Sequence, residues 1–188
     1  MPSSPYTRKL LHAVLACACV AMLAAAGTAA AAGTRTGGAV FVPPPPPPKK
    51  AKVVNGLAVA PAGAPARIKR VITAGNRLIG KPYVYGGGHR PFSRSLDSGY
   101  DCSGTVSYAL YGGRFLASPL PSGPMMSWGR SGPGRWLTVY AHSGHAYMVV
   151  AGLRLDTSMR DDPTRTGPGW SRRLRENAAF TPRHPLGY

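Results

Sequence analysis

Three cysteines occur in the 188 residues, and two of them, Cys17 and Cys19, lie in an N-terminal apolar run. The third, Cys102, stands in Tyr100-Asp101-Cys102-Ser103-Gly104, among small and polar residues that do not read as core. Behind it Val106, Ala109 and Leu110 recur at helical spacing until Gly112-Gly113. That pattern predicts a helix whose first turn carries the thiol. Unpaired N–H groups and the positive end of the helix dipole favour a thiolate there. Further on, His145 opens an apolar run, Gly144-His145-Ala146-Tyr147-Met148-Val149-Val150, which reads as a strand. A thiol on a helix start and an imidazole on a strand are what thiol-dependent hydrolysis needs. The imidazole takes the thiol's proton and later hands it to the departing group.

A third member follows from strand register. Ala151-Gly152 between Val150 and Leu153 is a length suited to a two-residue hairpin turn. In that register Val150 faces Leu153, Met148 faces Leu155 and Tyr147 faces Asp156. His145 and Tyr147 share a face, so Asp156 lies diagonal to His145, within reach of an imidazole–carboxylate hydrogen bond. The plainer reading is a surface aspartate paired with Arg154 or Arg160. Asp101, next to the thiol, reads as the helix cap, turned away from the sulfur. Of the other histidines, His142 precedes a Ser-Gly break, and His89 and His184 fall in loops from which they could meet substrate carboxylates. No ligand spacing suits zinc, so neither a metal nor a cofactor is expected.

The elements that must position these residues begin near Pro65. Ile68, Val71, Ile72, Leu78 and Ile79 line one face of a helix that Gly80 ends, with Arg67, Lys69, Arg70 and Arg77 on a solvated basic face. Next comes Gly80-Lys81-Pro82-Tyr83-Val84-Tyr85-Gly86-Gly87-Gly88-His89, whose glycines let the backbone pass close to something. It fits neither the dinucleotide nor the P-loop fingerprint. Residues 112–135 form a Gly- and Pro-rich crossing anchored by Met125, Met126 and Trp128. Strands are expected over 136–140, 145–150 and 153–157, then a loop and a short final strand. Helices first and strands later describe an α+β domain with helices on a small antiparallel sheet.

Charge and the N-terminal region point to where the chain works. There are 23 Lys and Arg against 6 Asp and Glu, a formal charge of +17, and the first acid is Asp97. Such a chain seeks polyanions, nucleic acid or an anionic bacterial wall among them. Arg8-Lys9 precede apolar residues 10–26 and an alanine tract, which reads as an export signal over 1–32 with a cleavage option after Ala32. An uncleaved membrane anchor is the other reading, and the only membrane contact expected. Export removes Cys17 and Cys19 and leaves Cys102 without an internal disulfide partner. Residues 33–64, with six prolines from Pro43 to Pro48, read as an unstructured basic linker. Its prolines span about 19 Å in polyproline II. The folded domain is then 65–188.

Three pieces in this order, Gly80-Lys81-Pro82-Tyr83-Val84-Tyr85-Gly86-Gly87, Tyr100-Asp101-Cys102-Ser103-Gly104 and Gly144-His145 with its apolar strand, resemble the NlpC family of papain-like peptidoglycan endopeptidases. The resemblance covers about residues 65–160. It implies a papain-like α+β domain that hydrolyses stem-peptide amide bonds of the bacterial wall, typically after γ-D-glutamate. Cys102 would be the nucleophile and His145 the base. Tyr83 would lie beside the cysteine and, with Asp101, Ser103 and Gly144, border the substrate. The family often has a polar residue, frequently histidine, near position 156; here it is Asp156. The Gly-Asp pair that usually opens the strand before the histidine strand is absent, because this chain has Gly134-Arg135-Trp136 there.

The expected protein is therefore an exported monomer of the cell wall, bound to peptidoglycan and anionic wall polymers and not to nucleic acid. Two alternatives belong to other classes, and an acyltransferase is a minor variant on the same fold. A non-catalytic wall-binding module on the same fold predicts poor Cys–His geometry. A basic nucleic-acid-binding protein predicts stacking aromatics among its charges and no export. An acyltransferase would pass the same thioester to an amine.

Overall fold

In the computed structural model, residues 48–93, 95–158 and 167–188 are described. The expected export signal over 1–32 and most of the expected linker lie outside these residues. The end of the linker corrects the sequence reading, because residues expected to be unstructured form a hairpin. Strand β1 (Lys52–Val54) pairs antiparallel with β2 (Leu57–Val59). Asn55 and Gly56 between them take φ of 50° and 79°, the left-handed pair of a primed two-residue turn. The pattern Val53-Val54-Asn55-Gly56-Leu57, shortly after the prolines, is the signature of this turn. Ala58 exchanges backbone hydrogen bonds of 2.9 Å with the Asn76 amide, which ties the hairpin to the first helix.

That helix, α1 (Ala66–Asn76), packs against α2 (Cys102–Gly112). Ile68, Val71 and Ile72 join Val106, Ala109 and Leu110 in one buried core. Burying such aliphatic side chains stabilises the fold by about 1.5–3 kcal/mol each. The basic face of α1 is not wholly solvated. The Arg67 guanidinium donates 2.8 Å to the Gly113 carbonyl and lies 3.8 Å over the Phe115 ring, closing the far end of α2.

The crossing holds a one-turn helix, α3 (Ser122–Met125), with Met125 fully buried. Phe115, Leu116 and Leu120 also pack on the core, so the crossing has more anchors than Met125, Met126 and Trp128. Six strands follow: β3 (Arg130–Ser131), β4 (Leu137–His142), β5 (His145–Val150), β6 (Leu153–Asp156), β7 (Gly169–Ser171) and β8 (Thr181–His184). They form one antiparallel sheet in the order β3-β8-β4-β5-β6-β7. The expected final strand is thus an interior one, inserted between β3 and β4, and β7 caps the other edge.

The β5–β6 register is the one the hairpin argument predicts, with Val150 opposite Leu153 and Met148 opposite Leu155. Ala151 and Gly152 take φ of 46° and 79° in its turn. Leu137, Val139, Ala146, Met148, Val150, Leu153 and Leu155 bury their side chains with the helices. The architecture is α+β, helices on an antiparallel sheet, and α2 lies against β5.

Candidate active site

Helix α2 begins at Cys102 because Asp101 caps it. The Asp101 Oδ1 accepts the Gly104 N–H at 2.7 Å, and the Asp101 carbonyl accepts the Thr105 hydroxyl at 2.7 Å. The same carboxylate accepts the Gly86 N–H at 3.1 Å, and the Asp101 N–H donates to the Gly87 carbonyl at 3.1 Å. The glycine loop therefore runs against the first turn of α2. A Cβ on Gly104 would stand 2.1 Å from the Gly87 carbonyl oxygen, so backbone meets backbone there with no room for a side chain. The loop also brings up Tyr83, which bridges Tyr100 as a parallel pair and feels the Cys102 and Asp101 charges. Burial and those charges raise the Tyr83 phenol, which stays neutral.

Cys102 is a free, buried thiol. Burial pushes its pKa up, but a hydrogen bond with His145, the Ala146 N–H and the imidazole's charge more than offset that and lower it, against Asp101. His145 sits at the open end of β5, where Gly144 turns the chain, and α2 packs across this strand. Its Nε2 lies 3.0 Å from Asp156 Oδ1, which leaves Nδ1 as the ring nitrogen for the thiol. Burial disfavours the imidazolium, yet the bonds to Asp156 and Cys102 raise the His145 pKa from 6.5 to about 9. The Asp156 side chain is 0 % exposed. Burial raises its carboxyl; bonds from His145, the Ser158 N–H and Arg175 outweigh it and hold the carboxyl below the usual range.

The structure brings Cys102, His145 and Asp156 together, with Tyr83 and Asp101 at their edge. Ser103 is buried, its hydroxyl donating to Asp101 Oδ1 at 3.1 Å. Gly144 lies in the exposed β4–β5 turn, its N–H donating to His142 Nδ1 at 3.0 Å. His142 packs against Phe180 with ring centres 4.5 Å apart and the rings tilted by 47°. His89 Nε2 lies 3.0 and 3.1 Å from the Asp101 oxygens and 3.1 Å from the Ser103 hydroxyl, so its loop returns it to the helix cap. His184 is in β8, with Nδ1 2.9 Å from the Gly132 carbonyl, and takes no part.

No family model and no curated protein matches this chain. Solved structures do resemble it. A mutated form of the resuscitation-promoting-factor-interacting protein RipA aligns at 25 % identity and TM-score 0.46, over 65 % of this chain and 63 % of that one. The P60 domain of a Mycobacterium avium paratuberculosis antigen aligns at 22 % and 0.45, over 63 % and 93 %. RipD from Mycobacterium tuberculosis, described as a non-catalytic NlpC/p60 domain protein adapted to peptidoglycan binding, aligns at 20 % and 0.45, over 65 % and 100 %. This chain thus spans 63 % of the first of these structures.

Two arginines converge on Asp156, and of these sequence reasoning named only Arg154. Arg154 Nε is 3.5 Å from Asp156 Oδ2; pairing with Arg154 had been only the alternative to a role beside His145. Arg175 Nη1 is 2.9 Å from the same oxygen and 3.1 Å from His145 Nε2. Arg175 comes from the segment between β7 and β8, in Arg172-Arg173-Leu174-Arg175. Nothing in residue type separates it from its arginine neighbours; only the β6–β7 pairing carries it to the site.

Proposed function

We propose that the chain is a cell-wall cysteine peptidase that hydrolyses amide bonds of peptidoglycan stem peptides, after γ-D-glutamate. The observation that carries this reading is the Cys102–His145–Asp156 arrangement, with a capped helix under the thiol and a buried carboxylate behind the imidazole. The thiolate attacks the scissile carbonyl carbon, and its electron pair moves onto the oxygen. The Cys102 N–H at the helix start is the donor best placed to hold that oxyanion. Collapse breaks the C–N bond, and His145 gives its proton to the departing amine. Water then attacks the thioester, His145 takes one of its protons, and carboxylic acid and thiol are released.

The export segment and the cationic surplus support a site of action at the wall outside the membrane. Digestion of purified wall fragments, with products identified by mass, tests the reading. New amine and carboxyl ends at the γ-D-glutamyl bond are expected, and none with Cys102→Ser. Binding of the same fragments without any cleavage, under reducing conditions, would replace the enzyme by a wall-binding module.

A further inference from the structure

The Asp156 carboxylate serves more than one cation, and one of them also touches the imidazole. Arg175 Nη1 lies 2.9 Å from Asp156 Oδ2 and 3.1 Å from His145 Nε2. Its guanidinium is held in place by aromatic faces, 5.2 Å from the ring centres of both Tyr147 and Phe180. The side chain is 25 % exposed, whereas that of Asp156 is fully buried. A ring nitrogen cannot donate to Asp156 and accept from Arg175 at once. When His145 is an imidazolium, Nε2–H donates to Asp156 and Arg175 is a neighbouring cation. When His145 is neutral, Arg175 can donate to Nε2 itself. The guanidinium thus repels one protonation state and can bond the other.

We propose that Arg175 is a positioning residue that sets how tightly His145 keeps its proton, by sharing the Asp156 carboxylate and lying against the imidazole edge. The chemistry gives this a purpose. An imidazole backed by a wholly dedicated, buried carboxylate holds its proton too strongly to release it to a leaving amine near neutral pH. General acids work best with a pKa near the working pH. Arg175 opposes the Asp156 effect at the one ring nitrogen where both meet. The other groups around His145 are Cys102 from α2, with Asp101 behind it; Arg154, on Asp156; Tyr147 on its own strand; and His142 on β4, with ring centres 6.3 Å apart. Among these, Arg175 lies 3.1 Å from His145 Nε2 and adds positive charge to that edge of the ring.

This inference rests on His145 and Cys102 acting as a pair, and its test needs no substrate. The His145 ring resonances are followed by NMR across pH in the full chain, in Arg175→Met, in Arg175→Lys and in Arg173→Met, whose side chain is exposed. Arg175→Gln provides a second uncharged variant should the methionine one fold poorly. The His145 midpoint is expected to rise by about one unit in Arg175→Met or Arg175→Gln, as for loss of a like charge within 4–6 Å. It should return toward the parent in Arg175→Lys and stay put in Arg173→Met. A midpoint that is unchanged or falls without Arg175 overturns the proposal, as does an equal rise in Arg173→Met. Blocking Cys102 by alkylation in the parent keeps the two claims apart. If alkylation leaves the His145 midpoint unmoved, the catalytic pair itself fails. If alkylation lowers it and the Arg175 variants are silent, only the role of Arg175 fails.

Discussion

Asp156 is the residue on which the proposed chemistry leans hardest, because an imidazole and two guanidinium groups face one buried carboxylate. Asp156→Ala is expected to lower turnover by about 10²–10⁴-fold, read as kcat on wall fragments. The burial of this carboxylate adds a second effect, on stability. Removing one partner of a buried ion pair leaves the others unneutralised and costs about 3–5 kcal/mol. A clear drop in Tm is therefore expected for Asp156→Ala, and none for Glu176→Ala, whose side chain is on the surface. Equal Tm values would mean that solvent reaches Asp156 freely. Cys102→Ser should abolish hydrolysis and keep the fold, and it also isolates a pH effect. His145 has a folded pKa raised above its unfolded value, so its stabilisation is complete below about pH 6.5 and is lost as pH rises through about 9. Cys102 has a lowered folded pKa, so its contribution runs the other way, present above the ordinary thiol pKa and lost as pH falls through the folded one. In the parent the two slopes oppose each other wherever both groups titrate above about pH 6.5, so Tm should fall less steeply there than the imidazole alone would make it. Without the thiol His145 is raised by Asp156 alone, its slope stands unopposed over a narrower range, and Cys102→Ser should lose Tm more steeply than the parent as pH rises above about 6.5. A parent and a variant with the same pH dependence would remove the ion pair from the site.

At the scale of elements, the site is a meeting of the glycine loop, the start of α2 and the open end of β5. Gly104→Ala tests that meeting. The added methyl would fall 2.1 Å from the Gly87 carbonyl oxygen, backbone that has no rotamer with which to yield. The loop must move off the helix, taking Tyr83 and the Asp101–Gly86 bond with it. Both Tm and wall hydrolysis should fall, whereas Gly123→Ala, with nothing within 4 Å of its new methyl, should keep the activity. This region was legible in the sequence because its chemistry is local: a cap, a helix period and a thiol lie within ten residues. The β5–β6 register was legible for the same reason, since a two-residue turn fixes which side chains face each other. Arg175 was not, because it comes from a stretch without periodicity and reaches Asp156 only through the strand order. The β1–β2 hairpin was readable from Asn55-Gly56 and was hidden by the proline composition just before it.

For the whole molecule the balance of 23 basic to 6 acidic residues makes binding to an anionic polymer the expected default. Exposed charges are screened over about 8 Å at physiological ionic strength. The protein should sediment with insoluble wall at low salt and be released as salt is raised, with the Cys102→Ser variant behaving as the parent does. Retention indifferent to salt would assign the affinity to shape and hydrogen bonds instead.

The sheet order has a consequence in time. Strand β3 pairs with β8, so Arg130 waits for His184, and β4 has one free side until the same strand arrives. Arg175 reaches Asp156 only after β7 and the segment beyond it have been made. A chain emerging from its N-terminus can thus build both helices and β4–β6, thiol and imidazole included, while the sheet still has an open seam. Long-range pairings of this kind close late and slowly. On the proposed reading, the site would reach its final proton balance only once the chain has been made through Arg175 and β8.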